Sequence, residues 1–220
     1  MKMNFRYIKY KITMLTKMLT KNSKMRLIKR IGFYFIFIAT ITSCKNNLPV
    51  IEDFSKENFH LINQSEKKVE FPSQFKGRIL IVGYIFTNCP DICPLTTNNM
   101  RLIQERLKKE KIDNVELVSI SFDPLQDTPE VLRNFAEVRN LDLTNWQFLT
   151  GENKVIDSLI KKAGVFVIPS DSTVFKDGRK IYYYVHTDRI QLFDELGRVR
   201  KNYAGSKINI EEIINDIKNL

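Results

Sequence analysis

The hydrophobic pattern of the chain alternates between short apolar runs and longer stretches in which apolar residues recur at helical spacing. Residues 79–86 form one such run, broken only by a glycine. A run of this kind is typical of a strand that is buried on both faces in the middle of a mixed or parallel sheet. Residues 115–122 predict a second buried strand, and residues 146–149 predict a shorter third one.

Helices are predicted after each of these strands. Residues 95–110 combine apolar positions at helical spacing with a basic outer face. At residues 127–130, a capping side chain is followed by a proline and an acidic residue, so we expect a helix from there to about residue 140. Residues 153–163 predict the next helix, with Gly164 as its stop.

The two flanks of the chain complete the pattern. Residues 59–62 and 67–71 predict an N-terminal hairpin, and residues 165–167 predict a short strand before a polar stretch at 169–180. Further strands and a terminal helix are expected at residues 181–185, 189–194, 199–203 and 208–220. We therefore predict an α/β fold in which helices flank a central mixed sheet, with an N-terminal hairpin and a late β-hairpin insertion.

Two cysteines follow the central apolar run, and each directly precedes a proline. Because a proline disfavours helical backbone at the residue before it, we expect Cys89 and Cys93 to be non-helical. Cys93 is then the predicted N-cap of the next helix, with Pro94 at the first helical position, where its missing N–H costs nothing. The helix dipole favours a thiolate there, which is the form that binds metals or attacks disulfides.

The net charge of +10 does not indicate a nucleic-acid partner, because the excess is confined to the start of the chain. Residues 1–43 contain ten basic and no acidic residues, so 25 basic and 25 acidic residues remain in the rest of the chain. The body is formally neutral and carries no basic surface of the kind that binds phosphate backbones.

The leader resembles a bacterial lipoprotein signal peptide. Residues 25–30 are a basic region, and residues 31–41 are an apolar core of secretory length that is too short to span a bilayer. Residues 41–44 resemble a lipobox, in which Cys44 is lipidated; the alternative is an ordinary signal peptide with a chance cysteine. We expect a signal peptide at residues 1–43, with Met25 as an alternative start, a tether at 44–58 and one domain at 59–220.

With Cys44 set aside, Cys89 and Cys93 are the remaining cysteines. A signal sequence places them in an oxidising compartment. A disulfide between them closes only a very short loop and adds little stability. The pair therefore indicates redox or metal chemistry rather than a structural crosslink.

Four motifs in order resemble the Sco/SenC family, and the resemblance covers nearly all of residues 59–220. The motifs lie at residues 86–94, 121–130, 146–151 and 185–194. The departures are small: Asn88 stands where many relatives have His, and Gln126 stands where many have a charged residue. The resemblance implies a thioredoxin-like fold and a copper-binding assembly factor for the dinuclear copper centre of cytochrome c oxidase.

The resemblance also implies a ligand set, since the family's metal-binding positions fall on Cys89, Cys93 and His186. Two thiolates and an imidazole suit copper best among the available metals, with zinc second. We expect His186 in the loop before the late hairpin, against the cysteine motif; without the resemblance, a hydrogen-bonded loop histidine is the favoured interpretation. His60 is expected to face solvent at a sheet edge.

The site residues and the family resemblance are compatible with two functions. One is a membrane-anchored copper chaperone on the periplasmic side of a bacterial membrane, with the copper-bearing subunit of cytochrome c oxidase and a periplasmic thiol reductase as partners. The other is a thiol–disulfide oxidoreductase that uses Cys89 and Cys93 as a redox-active pair. His186 favours copper, because thioredoxin-type reductases have a cis-proline in this region and residues 185–187 contain none.

Three further positions have both a structural and a functional interpretation. Asp91 lies between the thiols and is expected to cap the turn rather than to tune their pKa. Asp123 ends the second strand and is expected to form a turn, with support of a metal ligand as the alternative. Residues 182–184 are tyrosines that are expected to alternate across a strand rather than to form a recognition surface.

Overall fold

The computed structural model describes residues 48–174 and 180–220, so the predicted signal peptide with Cys44 lies outside the described residues. The strands are β1 (Glu52–Asp53), β2 (Phe59–Asn63), β3 (Lys68–Phe71), β4 (Ile79–Ile85), β5 (Val115–Ser121), β6 (Trp146–Gly151), β7 (Val167–Val174), β8 (Lys180–His186), β9 (Ile190–Phe193) and β10 (Arg198–Tyr203). The helices are α1 (Ile92–Lys109), α2 (Pro129–Val138), α3 (Asn153–Lys162) and α4 (Ile210–Lys218), with a 3₁₀ turn at Ser73–Phe75.

Eight of the described strands form one mixed sheet in the order β1-β10-β9-β4-β5-β6-β2-β3. β4, β5 and β6 run parallel, and the remaining neighbours are antiparallel. Every residue of β4 is buried, as the continuous apolar run predicts for a central strand. The predicted central mixed sheet, with β4 in its interior and helices packed on it, is confirmed.

The helices pack on the central strands. α1 packs on β4 and β5 and contacts α4, whereas α2 packs on β6 and α3 packs on β2 and β6. Gly83 in β4 permits the close approach of α1, because a Cβ atom there would lie 2.5 Å from Met100 Sδ. None of the helices in the described part of the chain has the length and apolar character needed to cross a bilayer.

The folded domain starts earlier than residue 59, so the predicted tether is partly structured. β1 pairs with β10, and the adjoining Phe54 is fully buried. The Phe54 ring lies 5.3 Å from the Phe193 ring and 6.4 Å from the Phe71 ring, centroid to centroid. A single buried aromatic residue in a polar segment is a weak sequence signal, yet burial of its side chain contributes about 2–3 kcal/mol.

The segment before His186 forms a hairpin of which the sequence pattern predicts the second strand, β8, but not the first. β7 pairs with β8 as a separate two-stranded sheet, with Val167 opposite His186 and Ile168 opposite Val185. The prediction of a short strand at 165–167 is therefore wrong, since the strand is Val167–Val174 and takes up the first part of the polar stretch at 169–180. Residues 175–179 of that stretch lie outside the described residues. The polar residues of β7 hide the strand, since this hairpin has one exposed face and needs no continuous apolar run.

Candidate metal centre

The cysteine motif lies in the connection between β4 and α1, at the carboxyl end of the central strand. Cys89 is in the loop, but Cys93 is in the first turn of α1, because the helix starts at Ile92 with Asp91 as its N-cap. The prediction that Cys93 is the non-helical N-cap is therefore wrong. Pro94 is tolerated inside the first turn, where backbone N–H groups have no intrahelical acceptor.

Cys93 is buried and its sulfur is enclosed by the polypeptide. The backbone N–H of Phe86 lies 3.4 Å from Cys93 Sγ and donates to it, and Cys93 has no exposed surface. The neighbouring Cys89 sulfur and burial both raise the pKa of the Cys93 thiol. Cys93 therefore holds its proton in the metal-free protein and shares it with Cys89.

Cys89 is the thiolate of the pair. Its sulfur accepts a hydrogen bond from the Cys93 thiol and, at 3.4 Å, from the Cys93 backbone N–H. These bonds, with smaller contributions from His186 and the Asp91 backbone N–H, outweigh partial burial and lower the pKa of Cys89 to about 3. An anionic, partly exposed sulfur is ready to bind a soft metal ion or to attack a disulfide.

His186 is the last residue of β8, rather than part of the following loop as predicted. Its Nδ1 lies 3.2 Å from the Thr187 carbonyl oxygen, and its Nε2 lies 3.8 Å from Cys93 Sγ. Because a carbonyl can only accept, Nδ1 carries the proton in the neutral ring and the Nε2 lone pair faces the sulfurs. This is the tautomer that a metal ligand requires.

The charge state of His186 reflects two opposing effects. Burial disfavours the imidazolium, but the Cys89 thiolate and the Thr187 carbonyl favour it and raise the pKa of His186. The ring packs on the Phe122 ring, with 4.9 Å between centroids, which restricts its orientation. In the metal-free protein, a proton therefore competes for the same nitrogen that faces the thiols.

The structure brings the three predicted site residues together. The potential ligand atoms of Cys89, Cys93 and His186 all lie within 4.8 Å of one another. They form the single group of three or more potential metal-binding side chains found among the described residues. Two sulfurs and an imidazole nitrogen are a soft-to-borderline donor set, which suits copper and excludes magnesium or calcium.

An aromatic wall closes the hairpin side of this group. Tyr182 and Tyr184 face inward and contact the Phe86 ring, whereas Tyr183 on the same strand is exposed. The expectation that the tyrosines alternate across the strand is therefore confirmed. Asp123 accepts a hydrogen bond from the Tyr182 hydroxyl and thereby ties the hairpin to the end of β5.

Two carboxylates next to the site, Asp127 and Asp188, hold neighbouring segments in place by accepting hydrogen bonds. Asp127 is fully buried and accepts hydrogen bonds from the Thr87 N–H at 3.0 Å and from the Ser121 hydroxyl at 2.5 Å. Asp188 accepts bonds from Ser206. The position of Asp127, directly before the helix N-cap Thr128, could have indicated a structural role for its carboxylate. No sequence feature indicates a role for Asp188.

The side chains of His60 and Asp91 take no part in this metal-binding group. His60 is exposed, as expected, and its Nδ1 pairs with Glu70 Oε1 at 2.7 Å. Asp91 is the backbone N-cap of α1 but makes no capping hydrogen bond with its side chain. Cys44, the predicted lipidation site, lies outside the described residues.

Comparison with known proteins agrees with the architecture of the domain. The SCO1/SenC family model matches residues 47–220. A SCO1/SenC family lipoprotein from Bacillus anthracis is 34% identical and superimposes with a TM-score of 0.64, covering 74% of this chain and 93% of that one. Copper-bound ScoI from Bradyrhizobium japonicum is 27% identical, with a TM-score of 0.62 over 74% of this chain and 98% of that one.

A third solved structure bears on redox behaviour. BsSco is described as a cytochrome c oxidase assembly protein of the Sco family with a disulfide switch. It is 33% identical, with a TM-score of 0.59 over 74% of this chain and 91% of its own length. These likenesses confirm the predicted thioredoxin-like fold. Since the family model covers all but the first 46 residues, the chain belongs to the SCO1/SenC family.

Proposed function

We propose that this protein is a membrane-anchored copper-binding protein that serves the dinuclear copper centre of cytochrome c oxidase. It either delivers copper to that centre or prepares the centre's thiols. The observation that carries the proposal is the convergence of Cys89, Cys93 and His186, whose ligand atoms lie within 4.8 Å of one another. Copper in the ScoI relative and the assembly role of BsSco support it.

The three side chains suit copper as a transferable cargo. The Cys89 thiolate is already formed, and the His186 lone pair already points toward the sulfurs, so little reorganisation precedes binding. Cys93 gives up its proton when the metal binds, because thiolate rather than thiol is the ligand. Partial exposure of Cys89 and His186 leaves a side from which another protein's ligands can reach the ion.

The proposed partner is the copper-bearing subunit of cytochrome c oxidase. Transfer between the two proteins requires only ligand exchange: one sulfur or nitrogen of the acceptor replaces one ligand here at each step, and the copper ion keeps its charge. The exposed position of Cys89 beside the buried Cys93 suggests an order of exchange. His186 and Cys89 are released first, and Cys93 is released last.

The alternative function is that of a thiol–disulfide oxidoreductase. It is favoured by the unequal thiols, since a low-pKa Cys89 beside a protonated Cys93 is the arrangement of an attacking and a resolving cysteine. The disulfide switch described for BsSco supports it as well. A periplasmic thiol reductase is then the partner that restores the reduced pair.

Copper affinity of histidine variants separates the two functions. The chain has two histidines, which makes His60→Ala a matched control for His186→Ala. With reduced full-length protein and a chromophoric Cu(I) chelator as competitor, we expect wild type and His60→Ala to bind equally. His186→Ala should bind at least about tenfold more weakly, since it keeps the sulfurs but loses the imidazole. Equal affinity in all three proteins would favour the oxidoreductase.

We also propose that Cys44 carries a lipid that anchors the protein to a bacterial membrane on its extracytoplasmic, periplasmic side. The support is the lipobox-like sequence at residues 41–44 and the lipoprotein relative from Bacillus anthracis. In this proposal the signal peptide is residues 1–43, and a tether that begins at Cys44 joins the lipid to the folded domain. Cys44→Ser should move the protein from the membrane to the soluble fraction or block its processing; a processed variant that stays in the membrane contradicts an acyl anchor.

A further inference from the structure

Asp188 lies where three separate parts of the chain meet beside the metal-binding group. It follows His186 by two residues, in the connection between β8 and β9. Its carboxylate accepts hydrogen bonds from the Ser206 backbone N–H at 3.0 Å and from the Ser206 hydroxyl at 2.6 Å. It also lies 3.4 Å from the Thr96 hydroxyl, which donates to it. The carboxylate thus joins the residues after His186 to α1 and to the segment before α4.

The contact with Thr96 matters because of where Thr96 lies. Thr96 is in α1, three residues after Cys93, and therefore lies about one helical turn from the residue that carries the buried sulfur. Asp188 therefore links the histidine segment directly to the helix that carries a cysteine ligand. The distance between Cys93 Sγ and His186 Nε2, 3.8 Å, is set by this pair of elements.

The segment before α4 fits tightly against this link. A Cβ atom on Gly205 would lie 2.5 Å from Asp188 Oδ1 and 2.8 Å from Thr96 Oγ1, so a larger residue cannot be placed there without displacing the carboxylate. The Gly205 carbonyl in turn accepts a hydrogen bond from Asn99 Nδ2 at 2.8 Å. Ser206 is therefore held on α1 independently of Asp188 and gives it a fixed point of attachment.

The neighbours of Asp188 hold the other side of the same segment. The Thr187 N–H donates to the Phe166 carbonyl at 2.9 Å, and Thr187 Oγ1 accepts from the Phe166 N–H at 3.0 Å. The Arg189 guanidinium donates to the Ala163 and Gly164 carbonyls. These bonds fix the segment to the chain between α3 and β7, which carries no ligand. Asp188 supplies the corresponding bonds to the cysteine side.

From this geometry we infer that Asp188 is a positioning residue that sets the distance between His186 and the two cysteines. The inference rests on the proposed function, because it concerns the same copper ligands. Asp188 is not itself a ligand, since both of its carboxylate oxygens accept hydrogen bonds from protein donors. It acts by holding the His186 ring in the orientation in which Nε2 can bind copper, so that the ring does not have to reorient when the metal binds.

A double-mutant cycle in Cu(I) affinity tests this inference. We expect Asp188→Ala to weaken binding about tenfold, the lower end of the range for residues that orient metal ligands. In a His186→Ala background, the same substitution should change the affinity less than twofold, because the residue it positions is gone. A factor of ten in both backgrounds, or no change in either, would overturn the inference.

A matched control excludes a general effect on folding. Asp194 lies at the other end of β9 and, like Asp188, accepts backbone N–H bonds, from Leu196 and Arg198 at 3.0 Å. Asp194→Ala should lower the melting temperature but leave the Cu(I) affinity unchanged. If Asp194→Ala weakens copper binding as much as Asp188→Ala does, then Asp188 acts through stability alone and the inference fails.

A measurement without copper separates this inference from the proposed function. In metal-free protein near pH 8, nitrogen NMR of the imidazoles should show His186 as one tautomer with Nδ1 protonated, and His60 serves as the internal reference. In Asp188→Ala we expect the two tautomers of His186 to average. If the wild type binds no copper but this change occurs, the proposed function is wrong and the positioning role stands; an unchanged His186 spectrum refutes the role.

Discussion

Cys89 and Cys93 differ in exposure and in the groups that surround their sulfur atoms. Cys89 is partly exposed and receives hydrogen bonds, whereas Cys93 has no exposed surface and donates its proton. The arrangement places one stable thiolate at the surface and one buried thiol behind it. Either function needs that order, since an incoming metal or disulfide must meet a thiolate first.

Selective alkylation at low pH tests this difference between the thiols. At pH 6, iodoacetamide should modify Cys89 more than tenfold faster than Cys93, because the pKa of Cys89 is lowered and that of Cys93 is raised. Peptide mass spectrometry of the reduced protein gives both rates. The experiment uses a Cys44→Ser background to remove the remaining thiol. Equal rates would show that the proton is not held by Cys93.

Asp127 provides a second prediction at the scale of single residues. Its carboxylate accepts from the Thr87 N–H, the Thr87 hydroxyl and the Ser121 hydroxyl, so it fixes the start of the cysteine loop. Asp127→Ala leaves these donors unpaired and should lower the free energy of unfolding by about 2–4 kcal/mol, measured with urea. The exposed Asp113→Ala is the control and should change it by less than about 0.5 kcal/mol.

Asp127→Asn refines the same test. Burial outweighs the hydrogen bonds from Ser121 and Thr87 and raises the pKa of Asp127. A raised carboxyl pKa means that the native state favours the neutral form, and this contribution to stability is lost as the pH rises through the folded-state pKa. The neutral amide avoids that loss, so Asn should destabilise less than Ala at pH 7. If Asp127→Asn and Asp127→Ala lower the free energy of unfolding equally, then hydrogen bonds to the side-chain oxygens do not contribute to stability.

The sequence predicted which residues meet at the site better than it predicted their chemical states. The cysteine spacing and the family motifs indicated Cys89, Cys93 and His186, and all three lie together. The tautomer of His186 depends on the Thr187 carbonyl, and the lowered pKa of Cys89 depends on hydrogen bonds from the Cys93 thiol and, to a smaller extent, from the backbone N–H groups of the loop. Such backbone groups have the same identity in every residue, so no sequence pattern reveals where they point.

At the scale of elements, the strands with a strong hydrophobic pattern could be predicted from the sequence, whereas those with a weak pattern could not. β4 is buried on both faces, so its apolar run identifies it unambiguously. β7 contains Pro169 and Ser172 and pairs with β8 outside the main sheet, where propensity alone gives no strand signal. The predicted helix start is two residues too late, because Pro94 was assigned to the first helical position; the helix starts at Ile92 and its N-cap is Asp91.

The burial of Phe54, next to the N-terminal strand β1, can be tested by substitution. Phe54 packs among the Phe59, Phe71 and Phe193 rings. Phe54→Ala should therefore lower the free energy of unfolding by about 3–5 kcal/mol in a denaturant titration. Phe166→Ala is the matched control, since that side chain is 74% exposed and its removal should change stability by less than about 0.5 kcal/mol. Equal effects of the two substitutions would restore the interpretation of residues 44–58 as a tether.

At the scale of the whole molecule, the proposed copper ligands come from distant parts of the chain. Cys93 and His186 are separated by 93 positions, so the complete ligand set exists only in the folded protein. A metal that binds the native state and not the unfolded chain stabilises the fold by mass action. Residues 44–220 carry no net formal charge, which is compatible with this role, because copper binding at the site requires neither a basic surface nor a polyanionic partner.

Copper should therefore raise the melting temperature, and the size of the shift should depend on His186 and on pH. At a free copper concentration 100 times Kd, stabilisation is about 2.7 kcal/mol, which corresponds to about 5–10 °C for a domain of this size. A tenfold weaker His186→Ala loses about 1.4 kcal/mol of this, or about 3–5 °C, near pH 8. The measurement is a calorimetric scan of reduced protein, with His60→Ala expected to match wild type.

The pH dependence follows from the raised pKa of His186 in the metal-free protein. Burial opposes the imidazolium, but the Cys89 thiolate and Thr187 carbonyl outweigh it. Protonation stabilises the metal-free fold fully below the unfolded-state pKa of about 6.5, and this contribution is lost as the pH rises through the folded-state pKa. A proton also occupies the nitrogen that copper needs. The difference in thermal shift between wild type and His186→Ala should thus be largest at pH 8 and begin to shrink above pH 6.5 as the pH falls; a difference that grows on acidification would show that His186 does not bind the metal.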